Sequence, residues 1–227
     1  WVRYGQRESK NTQLRYHGGL TGGFTLSPLC IPRLLLKLVI GYGINMTRLS
    51  DPWNDYAKLK SEVEELKSMG MTSVVNLIFS ISPRHTDEYY ARKAREAAAM
   101  KPYRLCFKDV AGMLTPDRTY SLAKLILENA GDTPVEFHAH CNHGLAPFNV
   151  LEAVKAGIRI VHTSIPPLAN GSAQPSVFNV VSNLRALGYK PSVNEKVLPP
   201  VEEHFRRCAK EAGLPIGALR EYDQGWY

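Results

Sequence analysis

Short apolar runs alternate along this chain with longer stretches in which apolar residues recur every three or four positions. Thr72 to Ser80, with Val74, Val75, Leu77 and Ile78 crowded together, reads as a strand buried on both faces. From Asn54 onward Leu59, Val63 and Leu66 fall at helical spacing, and Gly70 supplies the stop. The same alternation predicts further strands over 13–17, 44–49, 104–108, 135–140 and 158–165. Between them it predicts helices over 28–40, from Thr86, from Pro116, over 145–156, near 175–187 and near 200–212. Local chemistry agrees: Asp87 and Glu88 sit near the positive end of their helix, and Thr115 stands at an N-cap with Pro116 in the first helical position. Residues 1–12 read as the end of a helix and its polar exit. Six strand–helix units with short connections predict an α/β fold, a TIM (β/α)8-type parallel barrel with about six of its eight strands present.

Composition narrows the class. With 227 residues, 44% of them hydrophobic, the chain can fill one large core. It has no apolar run of membrane length, and its opening Trp1-Val2-Arg3 does not have the pattern of a signal peptide. Cys30, Cys106, Cys141 and Cys208 lie far apart without a Cys-x-x-Cys pair, which favours reduced thiols in the cytoplasm or the mitochondrial matrix. The formal charge of +7 is scattered along helices with no basic block interleaved with aromatics. Nucleic-acid binding is therefore not expected, and a mildly positive field suits anionic carboxylate substrates. The glycine-rich stretch Gly18-Gly19 to Gly22-Gly23 lacks the P-loop lysine and the dinucleotide spacing, so it reads as a loop rather than a phosphate cradle.

Candidate chemistry collects at strand ends, where parallel α/β proteins bind ligands. Lys108 closes the apolar run Leu105-Cys106-Phe107. A salt bridge to Asp109 is the plain alternative, although adjacent strand residues point to opposite faces. His138 and His140 are two apart on a strand and share a face, which makes half of a divalent-metal site; a lysine converted by carbon dioxide to a carbamate can complete one. The competing reading is a core histidine bonded to backbone, and on spacing alone the two are about even. Neutral imidazoles suit zinc, manganese or cobalt alike. Asp51 either orients the site from behind or caps the helix that follows. Cys141 reads as a small buried residue rather than a thiolate, His85, His143 and His162 as structural or surface histidines, and Gln174 as a motif residue or the opening of a helix at Pro175.

Phe107-Lys108-Asp109-Val110-Ala111-Gly112-Met113-Leu114-Thr115-Pro116 resembles the Lys-Asp-Met-Ala-Gly-Leu-Leu-Thr-Pro signature of biotin-dependent carboxyltransferases, the family of pyruvate carboxylase, oxaloacetate decarboxylase and transcarboxylase. This family lies within the metal-dependent lyase TIM-barrel superfamily. Further segments agree in order. Trp1-Val2-Arg3 is similar to a Trp-x-Arg helix, and Arg48 to Asp55 is similar to Arg-x-Phe-Asp-x-x-Asn-Asp. Ile81 to Tyr90 resembles Ser-Pro-x-His-Thr-x-x-Tyr-Tyr. His138-Ala139-His140 leads into Gly144-Leu145-Ala146, and Gly171-Ser172-Ala173-Gln174-Pro175 resembles Gly-Thr-Ser-Gln-Pro.

The resemblance implies carboxyl transfer between carboxybiotin and pyruvate or oxaloacetate through a metal-stabilised enolate. It implies a divalent ion held by carbamylated Lys108, His138 and His140, with Lys108 and Asp51 as catalytic residues. Biotin would arrive on a carrier domain or subunit, since no Met-Lys-Met motif occurs here, and a homo-oligomer is expected. It also implies that residues 1–227 lack the family's first two strands, which carry a further metal-ligating aspartate, and its C-terminal Pro-Gly-Gly-Met region. Two other readings remain: an aldol-type lyase or synthase of the same superfamily, and a non-catalytic barrel serving subunit assembly.

Overall fold

A computed structural model describes residues 5, 7–9, 12–20 and 27–226. The Trp1-Val2-Arg3 helix and the Gly22-Gly23 pair lie outside the described residues. Six strands follow one another in chain order within one sheet: β1 (Tyr16–His17), β2 (Met46–Leu49), β3 (Thr72–Ile78), β4 (Arg104–Asp109), β5 (Val135–Ala139) and β6 (Ile160–Val161). The pairs β1–β2, β2–β3 and β5–β6 are parallel. The helices are α1 (Cys30–Gly41), α2 (Tyr56–Ser68), α3 (Asp87–Ala99), α4 (Pro116–Asn129), α5 (Ala146–Ala156), α6 (Val177–Ala186) and α7 (Leu198–Glu211). This is the strand–helix alternation that the apolar pattern predicts, with six of the eight strands of a TIM-type barrel. No described helix is long and apolar enough to cross a membrane, and no disulfide joins any of the four cysteines.

The chain divides into two compact units. The first comprises Trp1–Ile78, Glu88–Cys106 and Glu128–Val135. Its apolar interior includes Leu36 and Val39 of α1, Leu59, Val63 and Leu66 of α2, and Val74, Val75 and Leu77 of β3. Here α2 begins at Tyr56 rather than at Asn54. Asn54 has φ +53 and is buried, its side chain taking the Ile78 amide at 2.8 Å and donating to the Ile78 carbonyl at 2.9 Å. Its side chain thus completes the end of β3 as a backbone partner would. The described part of the glycine loop is tied by the Leu20 amide to the Glu62 carboxylate. A carboxylate facing that loop opposes phosphate, in line with the loop reading.

The second unit comprises Phe79–Asp87, Phe107–Leu127 and Glu136–Tyr227. Leu114, Leu122, Ile126, Phe137, Val150 and Ile158 are buried in it. The Thr115 hydroxyl accepts the Arg118 amide at 3.3 Å, the cap that its sequence position predicts. The strand expected over 158–165 contracts to Ile160–Val161. Beyond it Ser164 pairs with the loop before α6, its amide donating to Pro175 at 3.0 Å and its carbonyl accepting from Val177 at 2.9 Å.

Candidate metal centre

All five residues of β5, Val135-Glu136-Phe137-His138-Ala139, are buried. Strand alternation puts Glu136 and His138 on one face and Phe137 on the other. The Phe137 ring lies 5.3 Å from that of Phe107 on β4. Phe107 therefore shares the face of Phe137, and Lys108, the next residue, turns to the face of His138; it is 7% exposed. The apolar flank of both strands is thus what commits their ionisable residues to a common side.

His138 Nε2 and His140 Nε2 stand 3.2 Å apart. Two nitrogens each about 2.0–2.1 Å from one tetrahedral ion stand roughly 3.3 Å apart, so this pair has the bite of two ligands to a single cation. Both rings are held from behind. His140 Nδ1 lies 2.5 Å from the Ser172 carbonyl oxygen, an acceptor, so Nδ1 carries the proton and Nε2 the lone pair. His138 Nδ1 lies 2.8 Å from His162 Nδ1, and His162 Nε2 is 3.3 Å from Glu136 Oε1. Gln174 brings its amide nitrogen within 3.2 Å of His138 Nε2, while its Oε1 accepts the Ser164 hydroxyl at 3.3 Å.

The loop after β4 is moulded onto this site. Asp109 is buried and accepts three amides: Gly112 at 2.9 Å and Met113 at 3.1 Å on Oδ1, and Leu114 at 2.8 Å on Oδ2. Burial pushes its carboxyl above the usual carboxylate range, against the downward pull of those amides and of His140. The Asp109 carbonyl accepts the His140 amide at 3.0 Å. Gly112 has φ +72, and a Cβ there would come 2.6 Å from the His140 carbonyl oxygen, so the close approach of the two loops requires glycine. Cys141, beside His140, is buried, and burial pushes its thiol up to about 12. It is an inert filler at neutral pH.

Lys108, His138 and His140 thus belong to one unit, the two imidazoles in contact with each other. Asp51 lies in the other unit, where its Oδ1 accepts the Trp53 amide at 2.9 Å and the Asp55 amide at 3.0 Å, closing the turn ahead of α2. Three groups that sequence reasoning set aside or passed over lie against His138 or its partner: Glu136, His162 and Gln174. The signals were small. Glu136 is a carboxylate inside a buried strand two residues before His138, and His162 follows β6 as His140 follows β5.

Residues 49–204 match the model of the HMGL-like family. The chain belongs to that family. This HMGL-like chain is 32% identical over 169 residues to a pyruvate carboxylase subunit of Methanocaldococcus jannaschii, a match covering 74% of the chain and 30% of that protein. It is 32% identical over 183 residues to the 2-oxoglutarate carboxylase large subunit of Hydrogenobacter thermophilus, covering 79% of the chain and 28% of the large subunit. The carboxyl transferase domain of Rhizobium etli pyruvate carboxylase, solved with pyruvate, superposes with a TM-score of 0.89 at 20% identity over 100% of this chain and 40% of that one. That likeness shows a shared fold. The HMGL-like chain spans under a third of the length of either carboxylase relative.

Proposed function

We propose that the chain is barrel sequence of a biotin-dependent carboxyltransferase, moving a carboxyl group between carboxybiotin and pyruvate or oxaloacetate at a divalent ion bound by Lys108, His138 and His140. The observation that carries this reading is the 3.2 Å approach of the two imidazole Nε2 atoms at the end of β5. Lone pairs that close repel unless a cation or a shared proton lies between them, and an ion there would take both. The relatives point the same way, two of them being named as carboxylases of keto acids, pyruvate and 2-oxoglutarate.

Two neutral imidazoles and one anionic oxygen fit zinc, manganese or cobalt, the oxygen coming from Lys108 as a carbamate. An ion held there would supply a Lewis acid to stabilise negative charge developing on a substrate oxygen. The chain's own residues orient and support. Ser172 and His162 hold the two rings, and Asp109 holds the turn that packs on His140. Asp51 keeps the loop after β2 in shape. The partners in this reading are the keto acid and a carrier domain or subunit bearing biotin, with the chain in a homo-oligomer.

The test is elemental analysis of the purified chain, together with oxaloacetate decarboxylation in the presence of biotin. Bound divalent metal is expected, lost in both His138→Ala and His140→Ala, with decarboxylation well below that of a complete homologous barrel. Alanine variants that keep the metal overturn the reading.

A further inference from the structure

A buried carboxylate and a histidine stand in sequence behind the candidate ligand His138. Glu136 is fully buried and sits on the same strand face as His138. Its Oε1 is 3.3 Å from His162 Nε2, and His162 Nδ1 is 2.8 Å from His138 Nδ1. The rings of His138 and His162 meet edge to face, with centroids 5.1 Å apart and planes at 81°. The geometry points to Glu136 and His162 as positioning residues that place the proton of His138 on Nδ1 and so present the Nε2 lone pair to the site. The inference rests on the metal-centre reading and adds two residues to it.

The direction of the relay follows from which atoms can donate. An ionised carboxylate only accepts, so the His162 nitrogen facing Glu136 carries the proton. In neutral His162 the other nitrogen, Nδ1, is then an acceptor. With His162 neutral, the contact at 2.8 Å takes its proton from His138 Nδ1 and leaves the lone pair on His138 Nε2. A second contact is compatible with this tautomer. With the Gln174 oxygen accepting the Ser164 hydroxyl, the amide nitrogen of Gln174 lies 3.2 Å from His138 Nε2 and can donate to the lone pair there. His140 reaches the same state by a shorter route, through the Ser172 carbonyl. Both candidate ligands thus offer the same nitrogen, one set by a backbone carbonyl and the other by a buried carboxylate acting through an intervening imidazole.

The experiment is long-range 1H–15N correlation of histidine side chains in the metal-free chain, paired with cobalt titration of variants. His138 is expected to carry its proton on Nδ1. Replacing His162 by leucine should weaken cobalt binding about 10–100-fold, the range typical of losing a group that orients a metal-ligating histidine. His162→Asn should weaken it less, because its amide oxygen can accept in place of Nδ1. Glu136→Gln should shift the His138 proton signal without removing the ring. A His138 proton found on Nε2 in the unaltered chain overturns the relay, as does a folded His162→Leu variant that binds cobalt normally. Cobalt retained by His138→Ala would sink the metal reading alone, while the proton position still decides the relay.

Discussion

Cys141 and His140 are neighbours with opposite prospects, and exposure separates them. His140 stands half-buried at the strand end, while Cys141 turns inward with its amide donating to the Ala173 carbonyl at 2.9 Å. A thiol raised to about 12 has almost no thiolate at neutral pH, and the thiolate is the nucleophile. Native alkylation with iodoacetamide, mapped by mass spectrometry, should label exposed Cys30 and partly exposed Cys208 and spare Cys141 and Cys106 until the chain is denatured. Labelling of Cys141 at the rate of Cys30 in the folded chain would contradict its inert role. The same residue scale explains why His162 escapes a reading of the sequence. A histidine after two strand residues looks like any polar residue leaving a sheet; its value comes from Glu136 on one side and His138 on the other.

At the scale of elements, α1 shows how far periodicity reaches. Cys30-Ile31-Pro32-Arg33-Leu34-Leu35-Leu36-Lys37-Leu38-Val39-Ile40 is apolar on nearly every side, so its pattern predicts a helix without saying which face is inner. Packing decides: Leu36 is 1% exposed and Leu35 43%. Leu36→Ala should cost about 2–5 kcal/mol through lost burial and the cavity it leaves. Leu35→Ala should stay within about 0.5 kcal/mol of the parent, as surface changes do. Urea denaturation of the two variants checks this, and equal losses would mean that the helix faces otherwise. The start of α2 teaches the same lesson. Asn54 looks like a helix opener, yet its amide group is occupied at the end of β3, which holds it outside the helix.

For the molecule as a whole, metal binding and folding are linked if Lys108, His138 and His140 share an ion. A ligand that binds only the folded chain stabilises it by about 2.7 kcal/mol at a concentration 100 times its Kd. Cobalt should therefore raise the thermal midpoint of the chain, and His140→Ala should abolish the rise while keeping the metal-free midpoint near that of the parent. A rise of equal size in the variant would place the ion elsewhere. Strand order and the parallel βα alternation were legible from sequence, because an apolar run flanked by helical spacing is a local property that holds whatever surrounds it. So was the sharing of one face by His138 and His140, which follows from the two-residue repeat of a strand. The tertiary structure alone decided what stands behind those imidazoles. His138 and His162 are 24 residues apart, and the Ser172 carbonyl is 32 residues from His140. Such pairs meet only through the register of β5 against β6 and the path of the loops beyond, and no local pattern of apolar and polar residues carries that information.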